Sequence, residues 1–255
     1  MDDQKLIDTA TAIGCRMLEH GAEIYRVEET ISRICLAYGA KEVDVFAIPS
    51  SIVVSVTGAD GGSWTRTRRI KNQNVDLDKL DRFNNLSRVI CRDRPAADWV
   101  EGEIARINAQ PVYSSALQVF ACALVSFFFT LFFGGDLRDA SVAFAAGLAM
   151  KYFSKRLERF GLSSFLINIA ASATAGAFAF LSVRFGAALH IDKIIIGTLM
   201  NLVPGLSLTN SIRDFIVGDL MAGLMKLTET LLTATGIAIG VMLALRFLGG
   251  VFGGV

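Results

Sequence analysis

Three stretches of this chain, 107–135, 160–183 and 194–212, contain no Asp, Glu, Lys or Arg. A helix needs about 20 apolar residues to cross a hydrocarbon core of ~30 Å. Two of the stretches exceed that length and the third roughly matches it, whereas a soluble core helix seldom needs so much. The charges are concentrated elsewhere: residues 1–110 hold 15 Lys+Arg and 17 Asp+Glu of the 25 and 24 in the whole chain. This asymmetry says more than the averages of 53% hydrophobic and 19% charged residues. It implies a membrane protein: an N-terminal α+β cytoplasmic domain, residues 1–110, followed by a five-segment transmembrane α-helical bundle, residues 111–255. A net charge of +1 overall, and −2 over residues 1–110, supplies no electrostatic footprint for nucleic acid.

Within residues 1–110, 4–19 and 22–38 read as amphipathic helices broken at His20-Gly21, with Ile24, Val27, Ile31, Ile34 and Cys35 near helical spacing on one face. Gly39 stops the second helix. Val43–Ile48 and Ile52–Thr57 are β-branched runs, and Gly58-Ala59-Asp60-Gly61-Gly62 is a turn before a third strand, Trp64–Ile70. Residues 76–91 and 96–109 return to helix, with Asp76 and Pro95 at their starts.

Pro111 marks the junction. The five membrane segments fall at about 112–133, 139–154, 162–183, 193–210 and 217–247. The second spans only if Lys151 and Lys155 snorkel to the interface. Lys151, Lys155, Arg156 and Arg159 mark the connection after it as cytoplasmic. The opening Met-Asp-Asp-Gln-Lys lacks the apolar core of a signal peptide, so the N-terminal domain is expected to stay in the cytosol. Five crossings then put the C-terminus outside. Cys15, Cys35, Cys91 and Cys122 show no metal-ligand or redox spacing and read as reduced, buried thiols.

Two constellations in the membrane half suggest chemistry. Pro204-Gly205 interrupts an apolar stretch, and freed backbone groups in lipid must face protein or a water-filled cavity. Discontinuous helices of this kind line substrate sites in transporters. Asn201, Ser207, Thr209 and Asn210 supply hydrogen-bonding groups around the break. The bland alternative is a structural kink. In the fifth segment Asp219 and Lys226 lie seven residues apart, with Glu229 three beyond. Ionisable groups inside a membrane mark ion or substrate paths; the alternative is an interfacial turn at 213–219, with Asp214 and Asp219 in water. Ala171, Ala175 and Ala179, and the pair Gly236 and Gly240, read as close helix packing within the chain or between copies in a homo-oligomer. Arg66, Arg68, Arg69 and Lys71 read as a solvated strand edge. Nothing points to a metal or cofactor, and His20 and His190 have no ligand pattern around them.

Residues 19–31, Glu-His-Gly-Ala-Glu-Ile-Tyr-Arg-Val-Glu-Glu-Thr-Ile, resemble the opening motif of the threonine/serine exporter family. Residues 204–214, Pro-Gly-Leu-Ser-Leu-Thr-Asn-Ser-Ile-Arg-Asp, followed by Gly218-Asp219, resemble its membrane signature. The resemblance covers nearly the whole chain. It implies export of small amino acids such as threonine and serine, or of a dicarboxylate such as succinate, coupled to protons across a bacterial inner membrane. It implicates Gly21, Glu23, Arg26 and Glu28 in the first motif, and Pro204, Gly205, Asn210, Arg213, Asp214 and Asp219 in the second. With the constellations above, Asn201, Pro204, Gly205, Asn210 and Arg213 become candidates for substrate binding, and Asp219, Asp214 and Glu229 for proton coupling. Fused members have about twice as many membrane segments, so the chain resembles the larger subunit of the family's split form, completed by a smaller membrane subunit. Two other classes compete: a membrane-anchored hydrolase using Glu19, His20 and Glu23, and a ligand-sensing scaffold built on the N-terminal domain.

Overall fold

A computed structural model describes residues 2–71, 74–111 and 113–253. Its chain contacts divide it into two units: Met1–Pro111 with Thr209–Leu227, and Val112–Leu208 with Thr228–Val255.

The first unit begins with α1 (Asp3–Glu19) and α2 (Ile24–Ala37). In α1, Leu6, Ile7, Ala10, Ile13 and Met17 recur every three or four residues and are buried. The same spacing buries Ile24, Val27, Ile31, Ile34 and Cys35 on α2. The helices approach so closely at Gly14 that an added methyl group would strike the Ile31 side chain. Strands β1 (Glu42–Ile48), β2 (Ser51–Thr57) and β3 (Ser63–Arg69) form an antiparallel sheet in that order, with Val45 opposite Val54 and Val54 opposite Arg66. Alternation in β2 sends Ile52, Val54 and Val56 into the core shared with α1 and α2. Of the basic strip, Arg66 pairs with Asp8 of α1 at 2.7 Å, and Arg68 and Arg69 are exposed. Helices α3 (Leu77–Asp93) and α4 (Ala97–Asn108) complete the N-terminal part; the Asp76 carboxylate caps α3 by accepting from the Lys79 amide at 3.1 Å. Burying one side chain such as Phe83 of α3 stabilises the fold by about 1.5–3 kcal/mol.

The second unit holds α5 (Ser115–Phe132), α6 (Leu137–Glu158), α7 (Ser164–Arg184) and α8 (Ile191–Leu199). Helices α9 (Gly205–Val217) and α10 (Leu220–Phe252) each contribute to both units. Among the described residues, three helices are long and apolar enough to cross a membrane: α5, α7 and α10. Their outward faces carry Phe128, Leu166, Leu232 and Phe247, which suit lipid rather than water. The other two expected segments appear as α6, whose 22 residues have charged ends, and as α8 and α9, of 9 and 13 residues, separated at 200–204.

Small residues set the packing. Ala171, Ala175 and Ala179 are fully buried on α7. Gly236 and Gly240 face α7 of the same chain, and a Cβ on Gly240 would lie 3.0 Å from the Ala173 amide nitrogen. Buried Ser126, Thr130, Ser154 and Ser172 donate back to carbonyls of their own helices, which satisfies their hydroxyls without water.

Candidate functional site

Gly21 turns the chain between α1 and α2 at φ 94°, a left-handed conformation that a side chain would strain. The Gly21 amide donates to Leu18 and the Ala22 amide to Met17, closing α1. This delivers Glu23 to the N-cap of α2, with Arg26 and Glu28 on its first turns. Gly21 is therefore the positioning element of the motif rather than a contact group.

A second turn is built the same way. Gly218, at φ 101°, ends α9, and the amides of Gly218 and Asp219 donate to the Asp214 carbonyl at 3.1 and 2.9 Å. The Asp219 carbonyl accepts from Gly223, opening α10. A Cβ on Gly223 would lie 2.8 Å from the Phe215 ring, so the missing side chain lets α9 fold back tightly on α10. Ala222 joins the hydrophobic core formed by α1, α2 and the sheet. Lys226 is thereby brought to 2.9 Å from Asp214. Asp214 is 1% exposed and Lys226 8%, so this is a buried ion pair.

The two motifs, almost two hundred residues apart in sequence, meet in this unit. The Glu23 carboxylate receives Arg26 Nε on Oε2 at 2.8 Å and Arg213 Nη1 on Oε1. Its side chain is 13% exposed, against 55% for Arg26 and 44% for Arg213. Two half-exposed guanidinium groups thus converge on one largely desolvated carboxylate. Arg26 also lines an open groove of about 720 Å³ with Tyr25, Thr30, Arg33, Asn84 and Arg88. Further along α2, Glu28 Oε1 accepts the Ala47 amide at 2.8 Å. Burial raises the Glu28 carboxyl above its ordinary range, the Ala47 hydrogen bond opposes that, and the negative charge of Asp219 adds to the rise. Asn210 is half-buried in the same unit.

Asn201, Pro204, Gly205 and Glu229 belong to the second unit. Proline lacks an amide donor and disfavours helix in the residue before it, which accounts for the break between α8 and α9. The Pro204 carbonyl then accepts from Leu208 and starts α9. The Asn201 amide group donates to the Ser126 hydroxyl at 2.9 Å and to the carbonyls of Cys122 and Thr198 at 3.2 Å, tying the end of α8 to α5. Glu229 is exposed.

Sequence reasoning passed over Asp139, a fully buried carboxylate at the start of α6. It receives the amides of Leu189, His190 and Asp136 and lies 2.8 Å from His190 Nδ1. The Asp136–Asp139 spacing is a capping-box signal, but the partners at 189 and 190 leave no local trace. The hydrogen bond to Asp139 raises the His190 pKa. Asp136, Asp139 and His190 bring ligand atoms within 4.8 Å of one another, yet both Asp139 oxygens already accept two donors each, which is the chemistry of a staple between loops.

The residues of the hydrolase reading each have another partner. Glu19 pairs with Arg16 at 2.7 Å, Glu23 lies between its arginines, and the His20 ring stacks on Phe83 with burial lowering its pKa. Cys35 and Cys122 are buried and Cys15 and Cys91 partly so, all as free thiols; burial pushes Cys15 to about 11 and Cys35 to about 12.

Among the described residues, three apolar helices of membrane length mark an integral membrane protein. The family profile described as "Putative threonine/serine exporter" matches residues 8–248. The chain belongs to that family and is a transporter, not an enzyme. It is 26% identical to the "Probable succinate transporter subunit YjjP" of Klebsiella aerogenes over 94% of each chain, and 25% identical to the Escherichia coli protein of the same name over 92% of each. It is 24% identical to the "Threonine/serine exporter" of Corynebacterium glutamicum over 94% of this chain but 51% of that one. No solved structure matches the chain.

Proposed function

We propose that the chain is the larger subunit of a proton-coupled secondary exporter of small carboxylate-bearing metabolites, threonine and serine or a dicarboxylate such as succinate. In this reading it lies in a bacterial inner membrane with its N-terminus in the cytoplasm and its C-terminus outside. It forms five membrane segments and works with a smaller membrane subunit. The relatives' names support the substrate classes and the word subunit, and the exporter relative is about twice as long.

The observation that carries the substrate class is the Glu23 carboxylate held between Arg26 and Arg213. A pair of guanidinium groups that accepts this side chain suits any carboxylate of similar size, and the planar fork favours it over other anions. Glu23 acts as the resting occupant, and the substrate's carboxylate takes its place on Arg213. Asn210, in the same unit as the clamp, contributes a hydrogen bond to the substrate's other polar groups; Asn201 and the Pro204-Gly205 bend, in the second unit, are proposed as further contacts along the transport path. Burial and the negative charge of Asp219 both disfavour the charged form of Glu28. Asp219 is the proposed proton carrier. Asp214 holds Lys226 and serves the fold, and Glu229 is the outlying coupling candidate.

Efflux from preloaded cells, with and without the smaller subunit and normalised to folded protein, tests this reading. Gradient-driven export is expected only with both chains, and Asp219→Asn abolishes it while leaving substrate binding largely intact. Arg213→Lys weakens binding of both substrate classes. Export by Asp219→Asn with the wild-type rate and pH dependence removes Asp219 from coupling; unaltered binding by Arg213→Lys removes the carboxylate clamp.

A further inference from the structure

At the N-terminal end of α5 and the C-terminal end of α6 a groove of about 350 Å³ combines two opposite surfaces. One wall is apolar: Val119, Phe120 and Leu148. The other is cationic: Lys155, Arg156 and Arg159. Among the described residues none of these three cations has an ion-pair partner, and no acidic residue lines the groove. Glu158, on the same turn of α6, is exposed outside it. Tyr152 stands between the two walls; its hydroxyl accepts from Arg156 at 2.8 Å and its ring carries the guanidinium 5.2 Å from its centre.

We infer that this groove is a binding site for an anionic phospholipid, the phosphate headgroup held by Lys155, Arg156 and Arg159 and an acyl chain lying along Val119, Phe120 and Leu148. Charge complementarity selects the headgroup, because three cations converge without a compensating acid. The apolar wall selects a lipid over a water-soluble anion, because it continues along α5, a helix of membrane length. Exposed Phe153, Phe160 and Leu162 flank the cations in sequence, a mixture that suits the boundary between headgroups and acyl chains. The Tyr152 contact holds Arg156 in place before the lipid arrives, so less side-chain freedom is lost on binding. The site is independent of the carboxylate clamp and does not require that the transported substrate be known.

The test is native mass spectrometry of the purified full chain released from micelles containing equal amounts of phosphatidylglycerol and phosphatidylcholine. Wild-type protein is expected to retain phosphatidylglycerol preferentially, and the Lys155→Gln/Arg156→Gln/Arg159→Gln variant to lose that preference by about tenfold or more. Phe120→Ala should weaken retention of the lipid without creating a preference for the zwitterionic one. Equal retention of the two lipids by wild type overturns the site, as does an unchanged preference in the triple variant. Addition of sn-glycerol 3-phosphate distinguishes the sources of phosphate: displacement of the lipid at equal concentration means that the groove takes a free anion, and the lipid assignment fails. Should the triple variant not fold, salt titration of wild type decides the question. A preference that falls steeply between low and high ionic strength supports the cationic wall, and a salt-independent one refutes it.

Discussion

Glu28 lies where two kinds of cost add. Burial penalises its charged form and the negative charge of Asp219 penalises it again, while the Ala47 amide offsets part of both. Its folded-state pKa is therefore above the unfolded value of about 4.3. Such a carboxyl contributes stability that is fully present below the unfolded value and is lost as pH rises through the folded one. Glu28→Gln keeps an amide oxygen for the Ala47 hydrogen bond and cannot ionise. The variant is thus expected to gain stability relative to wild type as pH rises from 4 to 7, read as the difference in thermal unfolding midpoint in detergent. A difference that stays constant over that range would show that Glu28 does not titrate with a raised pKa. The neighbouring clamp follows a different rule. Glu23→Gln removes the internal competitor's charge but keeps its shape, so succinate or threonine should bind about tenfold tighter, a change in the range of one charge-assisted hydrogen bond. Calorimetric titration checks it, and weaker binding by Glu23→Gln would mean that Glu23 holds the arginines in position instead of occupying the substrate's place.

At the scale of elements, the α9–α10 hairpin depends on two glycines and one ion pair. Removing one partner of a buried pair leaves an uncompensated charge and costs about 3–5 kcal/mol. Lys226→Met alone should destabilise the protein by that order, with Asp214→Leu/Lys226→Met recovering most of it, measured by denaturant unfolding. A loss below about 1 kcal/mol for the single variant would mean that the pair is solvated in the membrane-embedded protein. This hairpin also marks the limit of what the sequence reveals. The meander and the buried stripe of α2 were legible because strand alternation and helical spacing are local patterns. The Pro204-Gly205 interruption was legible because proline removes a donor whatever surrounds it. The association of Thr209–Leu227 with the N-terminal part was not: hydrophobicity continues through 217–247, and Glu23–Arg213 and Asp214–Lys226 are contacts that no periodicity encodes. The family motifs named Glu23 and Arg213 separately, and only the fold shows that they touch.

For the whole molecule, the placement of 209–227 changes how the charges of α10 relate to a bilayer. The stretch 228–252, rising about 1.5 Å per residue, still reaches about 37 Å, more than a hydrocarbon core of ~30 Å. Asp219 and Lys226 therefore need not lie in lipid, and no desolvation by acyl chains has to be invoked for them. The proposed orientation then requires opposite exposure of two turns. It puts the β2–β3 turn, which contains the exposed Asp60, in the cytoplasm, and the start of α8, with the exposed Asp192, on the outer side. Single cysteines at these positions discriminate well, because Cys15 and Cys35 are held by burial at about 11 and 12 and react slowly, and Cys122 is buried. In intact cells a membrane-impermeant maleimide should label Asp192→Cys and spare Asp60→Cys, and both should react after permeabilisation. Labelling of Asp60→Cys with protection of Asp192→Cys would invert the topology. It would also place the Glu23 clamp on the outer face, where an exporter releases its substrate, and the clamp would then have to be a release site rather than the one that loads it.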